Sequence, residues 1–112
     1  FDKDASGTYK YSYEEEECYP EKGIDRVKPF VEWIKQNKFH GFIGEYGIPD
    51  NDPRWNETLD LFLGYLQENG INGTYWAAGA WWDTYFMAIT PKDGKDRPQM
   101  PIIEKYTSTL KK

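Results

Sequence analysis

The tetrad Gly44-Glu45-Tyr46-Gly47 closes a mostly apolar stretch that begins at His40, and so sets a carboxylate at the end of a segment otherwise suited to burial. An ionised side chain in such a place is costly unless it is paired or working. The flanking glycines allow a second backbone or a ligand to come close. Glu45 is therefore a candidate for carboxylate chemistry, with a salt bridge to an arginine at the mouth of the fold as the alternative. A second group is aromatic: Trp76, Trp81 and Trp82 crowd together, within a chain whose 18% aromatic content exceeds what a small core needs. Flat apolar faces with a polar rim stack on sugar rings, and they also serve protein interfaces.

Positioning these groups requires a scaffold, and the apolar spacing supplies one. Residues 1–22 lack periodicity and read as a loop. From Gly23 to Lys38, Ile24, Val27, Phe30 or Val31, and Ile34 recur at helical spacing, with Asp25 early and Lys35 and Lys38 late, as the helix dipole favours. Pro29 fits best if the helix proper begins within a residue or two of it. His40–Gly47 reads as a short buried strand. Asp52-Pro53 is a helix entry, an N-cap carboxylate with proline at the first helical position. Trp55, Leu59, Phe62, Leu63 and Leu66 form the stripe of a second helix, stopped by Asn69-Gly70. Ile71–Ala78 repeats the strand pattern, residues 80–100 form a long loop, and a final helix from about Pro101 carries Ile102, Ile103, Tyr106 and Leu110.

Helices alternating with short buried strands predict an α/β fold with right-handed crossovers and a parallel sheet. Two such strands leave both edges and much apolar surface uncovered, so further strands are expected from elsewhere. In parallel α/β folds the active site lies at the C-terminal strand ends, which singles out residues 44–49 and 76–82.

At these two places the sequence resembles a known family. Gly41-Phe-Ile-Gly-Glu-Tyr-Gly-Ile-Pro49 is similar to the strand-seven motif of glycoside hydrolase family 5, the cellulase family within a clan of retaining (β/α)8-barrel hydrolases. Gly73-Thr-Tyr-Trp-Ala-Ala-Gly-Ala-Trp-Trp82 resembles its strand-eight motif, and Phe1-Asp-Lys-Asp-Ala-Ser-Gly-Thr8 the loop after strand six. The resemblance implies that residues 1–112 are the C-terminal part of one barrel domain, from the loop after strand six through helix eight. It also implies that Glu45 is the catalytic nucleophile and that Trp76 is the platform under the sugar beside the scissile bond. Trp81 and Trp82 are candidate further sugar subsites or a lid on the core. Tyr46 is a candidate substrate contact, with packing as its alternative, and Tyr75 is read as packing or as orienting the nucleophile.

Retaining chemistry uses two carboxylates roughly 5 to 5.5 Å apart, one attacking the anomeric carbon and one protonating the leaving oxygen. In the family the second is a glutamate preceded by asparagine at the end of strand four. Here Asn56-Glu57 lies inside a predicted helix and receives no catalytic role. A complete barrel needs about 250 residues, so the acid/base and the earlier strands are expected in an N-terminal part, joined or supplied by another chain, and a His-x-Tyr element just before Phe1. The function implied is an endo-β-1,4-glucanase. The rivals are a β-mannanase or other β-glycanase of the clan, and a non-catalytic carbohydrate-binding half-barrel.

No metal or organic cofactor is required by this mechanism, which uses water alone. Asp2, Asp4, Ser6 and Gly7 mimic the start of a calcium loop, but Tyr13 stands where the bidentate glutamate belongs, so a hydrogen-bonded turn is expected. Glu14–Glu17 reads as a solvated charge run, His40 as structural, and Trp33 and Trp55 as packing. Asn56-Glu-Thr58 and Asn72-Gly-Thr74 match the short glycosylation sequon. Nineteen acidic against fourteen basic residues give a charge of -5, which argues against nucleic acid as a partner. With 29% charged residues, a mean hydropathy of -0.87 and no apolar run near the roughly 20 residues of a membrane span, no membrane role is expected. Cys18, the only cysteine, excludes an intrachain disulfide and a Cys/His zinc set. Secretion is expected from the resemblance, through a signal outside Phe1–Lys112.

Overall fold

A computed structural model of the chain describes residues 3–4, 6–8, 10–82 and 84–107. Its elements are α1 (Lys22–Gln36), β1 (Phe42–Tyr46), α2 (Arg54–Glu68), β2 (Asn72–Tyr75), a 3-10 turn (Ala80–Trp82) and α3 (Met100–Thr107). The order matches the spacing argument. Leu110, assigned to the last helix, lies outside the described residues.

Helix α1 buries Gly23, Val27, Val31 and Ile34, a stripe at the helical period. Pro29 lies inside it rather than near its start, which corrects the expectation from sequence. Pro29 has no N–H to donate to the carbonyl one turn back, while the first turn of α1 is anchored by side chains. There Lys22 is buried with its Nζ donating to the Glu16 carbonyl, and the Tyr19 hydroxyl donates to Asp25 at 2.8 Å. The helix stops two residues early because Lys38 takes a positive φ of 58°. Lys38 N–H then bonds the Lys35 carbonyl and Phe39 N–H the Ile34 carbonyl, at 3.2 and 2.9 Å, the paired bonds of a Schellman stop.

Helix α2 starts as anticipated. Asp52 Oδ1 accepts the Arg54 N–H at 2.9 Å, its carbonyl accepts the Trp55 N–H at 3.1 Å, and Pro53 holds a helical φ of -62°. All five stripe residues, Trp55, Leu59, Phe62, Leu63 and Leu66, are buried. The end repeats the α1 stop with Gly70 at φ 67°, and Ile71 N–H bonds the Leu66 carbonyl at 2.9 Å. The core lies between these helices and the sheet, where Val31, Ile34, Ile48, Leu59 and Phe62 meet.

The strands pair in parallel, Phe42 with Asn72, Ile43 with Gly73 and Tyr46 with Tyr75. Three steps along β1 therefore match two along β2, which places a bulge at Gly44-Glu45. Gly73 permits the approach, since a Cβ there would lie 2.8 Å from the Ile43 carbonyl oxygen. Phe42 is 58% exposed at the start of β1. Among the described residues each strand keeps one edge with no neighbouring strand.

The first loop departs from expectation at one residue. Glu16, placed in a solvated run, is only 3% exposed. Its carboxylate accepts the backbone N–H groups of Lys3 and Lys10 at 3.0 and 2.6 Å. Burial pushes the Glu16 carboxyl up, but these donors and the nearby Lys22 ammonium outweigh it and hold the group below the usual carboxylate range. Glu14 pairs with Arg54, which also lies over the Tyr13 ring at 4.3 Å, and Glu17 pairs with Lys3 at 3.1 Å. The calcium-like stretch folds as turns: Ser6 N–H donates to Asp4 Oδ1 at 3.0 Å and Thr8 N–H to Ser6 Oγ at 3.1 Å. Asp2 lies outside the described residues. Trp55 is core, whereas Trp33 is exposed and packs against Phe39.

Candidate active site

Glu45 sits in the bulge with its side chain exposed, and makes no ion pair among the described residues. A bulge next to a strand end re-aims a side chain that strict alternation would send elsewhere. The Thr74 hydroxyl donates to the Gly44 carbonyl and ties the bulge to β2. Glu45 borders an open pocket of about 260 Å³ whose walls include Arg26, Tyr46 and Phe62. The bulge was not legible beforehand; Gly44 was its one signal.

Trp76 follows β2 directly. Its N–H donates to the Tyr46 carbonyl at 2.9 Å, so its backbone lies beside the residue after Glu45. Gly47 makes room for it, because a Cβ there would stand 2.7 Å from the Trp76 carbonyl oxygen. A cis peptide joins Trp76 to Ala77. Trp76 is 37% exposed, and its indole packs against Trp82 at 4.5 Å between ring centroids and Tyr85 at 5.7 Å, while Trp82 and Tyr85 stand 5.5 Å apart. The structure thus unites Trp76 and Trp82 and adds Tyr85, which the sequence did not single out. Trp81 is 88% exposed and stands apart from this cluster.

The two tyrosines point into the scaffold. Tyr46 packs between Phe62 and Tyr75, each 5.6 Å away, and burial raises its phenol pKa. Tyr75 is held more firmly: its hydroxyl donates to the Ile48 carbonyl at 2.9 Å and accepts from Ile48 N–H at 3.3 Å and Gln99 Nε2 at 3.5 Å. Burial drives its phenol well above the ordinary tyrosine value. Packing is what both rings do here. Glu57 is exposed within α2.

Sequence reasoning also missed the polar residues that fold the 80–100 segment. Arg97 and Gln99 are buried and bond the loops after β1 and β2. They sit in an aperiodic stretch around Pro98 and carry no pattern that would have marked them.

Comparison with known proteins identifies the family. Residues 2–81 match the family model described as cellulase (glycosyl hydrolase family 5). A probable endo-beta-1,4-glucanase B of Aspergillus kawachii is 36% identical over 110 residues, 94% of this chain and 31% of its own length. The solved Pseudomonas stutzeri endoglucanase Cel5A, in complex with cellobiose, is 44% identical with a TM-score of 0.84 over 95% of this chain and 32% of that one. An endo-beta-1,4-glucanase of Xanthomonas axonopodis pv. citri is 38% identical, with a TM-score of 0.82 over 97% of this chain and 34% of its own. The chain spans about a third of the length of these relatives. It is therefore part of a (β/α)8 barrel, and it belongs to the cellulases of glycoside hydrolase family 5.

Proposed function

We propose that this chain supplies the nucleophile and a sugar platform to a retaining endo-β-1,4-glucanase whose acid/base resides in the remainder of the barrel. The observation that carries the reading is the joint placement of a bulged, exposed Glu45 and the Trp76 backbone bonded to the next residue. Glu45 attacks the anomeric carbon and forms a glycosyl ester. A second carboxylate, beyond these residues, protonates the leaving oxygen and then activates the water that cleaves the ester. Trp76, with Trp82 beside it, offers an apolar face to the pyranose ring. The remainder of the barrel is the partner, covering the two strand edges and Phe42. The substrate is a β-linked glucan, and secretion follows from the need to meet a polymer.

The test is Glu45→Gln in the complete barrel. Turnover of cello-oligosaccharides is expected to fall by about 10⁴-fold or more, with affinity retained, because the amide keeps the shape and loses the nucleophile. Unchanged turnover would reduce the chain to a binding module.

A further inference from the structure

The loops after β1 and β2 are joined by a polar knot that the proposed chemistry leaves unused. Arg97, only 5% exposed, donates Nη1–H to Asp50 Oδ2 at 3.0 Å and to the Tyr85 carbonyl at 3.4 Å, and Nε–H to the Thr90 carbonyl at 3.0 Å. Asp50 lies in the loop after Glu45, and its own N–H bonds the Phe86 carbonyl at 3.0 Å. Thr90 continues the link: its Oγ1 accepts the Gly79 N–H at 2.7 Å, while Ile89 N–H bonds the Ala77 carbonyl at 2.9 Å. Gln99 Nε2 spans the same gap, donating to the carbonyls of Ile48 and Phe86 at 3.3 and 3.2 Å.

We propose that Arg97 is a positioning residue for the sugar site, fixing the Trp76, Trp82 and Tyr85 cluster relative to Glu45 by tying the loop that carries the cluster to the loop that follows β1. The inference rests on the reading of that cluster as a sugar platform. A guanidinium suits the task because its planar fork serves a carboxylate and two carbonyls at once, whereas a lysine ammonium is a point charge on a flexible stem. The named acceptors all belong to the loops, and the apolar cluster that joins α1 to α2 is built without Arg97. Losing the guanidinium should therefore slacken the platform before it unfolds the domain.

The experiment compares Arg97→Met, Arg97→Lys and the isosteric Asp50→Asn in the complete barrel, each also combined with Glu45→Gln for binding. Two quantities are read. One is affinity for cellopentaose; the other is the ultraviolet circular-dichroism couplet of the closely packed Trp76 and Trp82, assigned by its loss in Trp82→Phe. Arg97→Met is expected to weaken binding by roughly tenfold to a hundredfold and to erase the couplet while the helical signal persists. Partial recovery of both in Arg97→Lys supports the fork argument. Retained affinity and couplet in Arg97→Met overturn the proposal, as does lost affinity with an intact couplet. If Arg97→Met does not fold, Asp50→Asn decides, and wild-type affinity and couplet there overturn it. A parent that binds no glucan, with a couplet that still depends on Arg97, defeats the glucanase reading alone and leaves the loop clamp standing.

Discussion

Glu45 and Glu16 show how differently one residue type is used within thirty positions. Glu45 stands exposed in a bulge, its carboxylate open to a ligand. Glu16 is buried and spends both oxygens on the backbone N–H groups of Lys3 and Lys10. Because those donors lower its folded-state pKa below the unfolded value near 4.3, the stability it contributes is complete above that pH and is lost as pH falls through the lower folded value. Glu16→Gln should remove part of the acid sensitivity of unfolding, seen as a flatter dependence of melting temperature on pH below about 4.5. Equal acid sensitivity in the two proteins would count against this role. Nothing in the run Glu14–Glu17 distinguished Glu16, since its surroundings depend on Lys22 and on backbone donors six and thirteen residues upstream, which the run itself does not encode. Glu45 stood out as a candidate because its glycine neighbours and apolar lead-in are local, whereas its role as nucleophile came from the resemblance alone.

At the scale of elements, local chemistry was readable wherever a cap or a stripe decided the outcome. The Asp52-Pro53 entry, the α2 stripe and the Gly70 stop emerge as spacing implied. Asp52→Ala should cost about 1 kcal/mol through the lost N-cap, with a further small loss from Arg54, and a lowered thermal midpoint of the complete barrel would measure it. An unchanged midpoint would mean that Pro53 alone fixes the entry. What was misread turned on backbone geometry that hydrophobic periodicity does not carry. Pro29 lies inside α1, and Lys38 took a conformation usually given to glycine. The 80–100 segment, expected as a plain loop, contains a 3-10 turn and a Lys92–Lys95 bridge closed by Asp93 and Gly94, both at positive φ. The bulge in β1 depends on register against β2, which no single segment encodes.

For the whole molecule, two parallel strands, each with one edge unpaired among the described residues, and an exposed Phe42 form one sector of a barrel. Residues 1–112 alone are expected to show no glucan hydrolysis above background. Mixing them with the remainder of the barrel should restore turnover, measured as reducing-sugar release from a soluble β-glucan. Ordinary activity from residues 1–112 by themselves would contradict the division of the two carboxylates. The central claim, that Glu45 forms the glycosyl ester, is tested most directly by trapping that ester. The complete barrel is treated with a 2-deoxy-2-fluoro cellobioside bearing a good leaving group, digested, and mapped by mass spectrometry. A fluorocellobiosyl adduct on Glu45 is expected; an adduct on any other carboxylate would contradict the account.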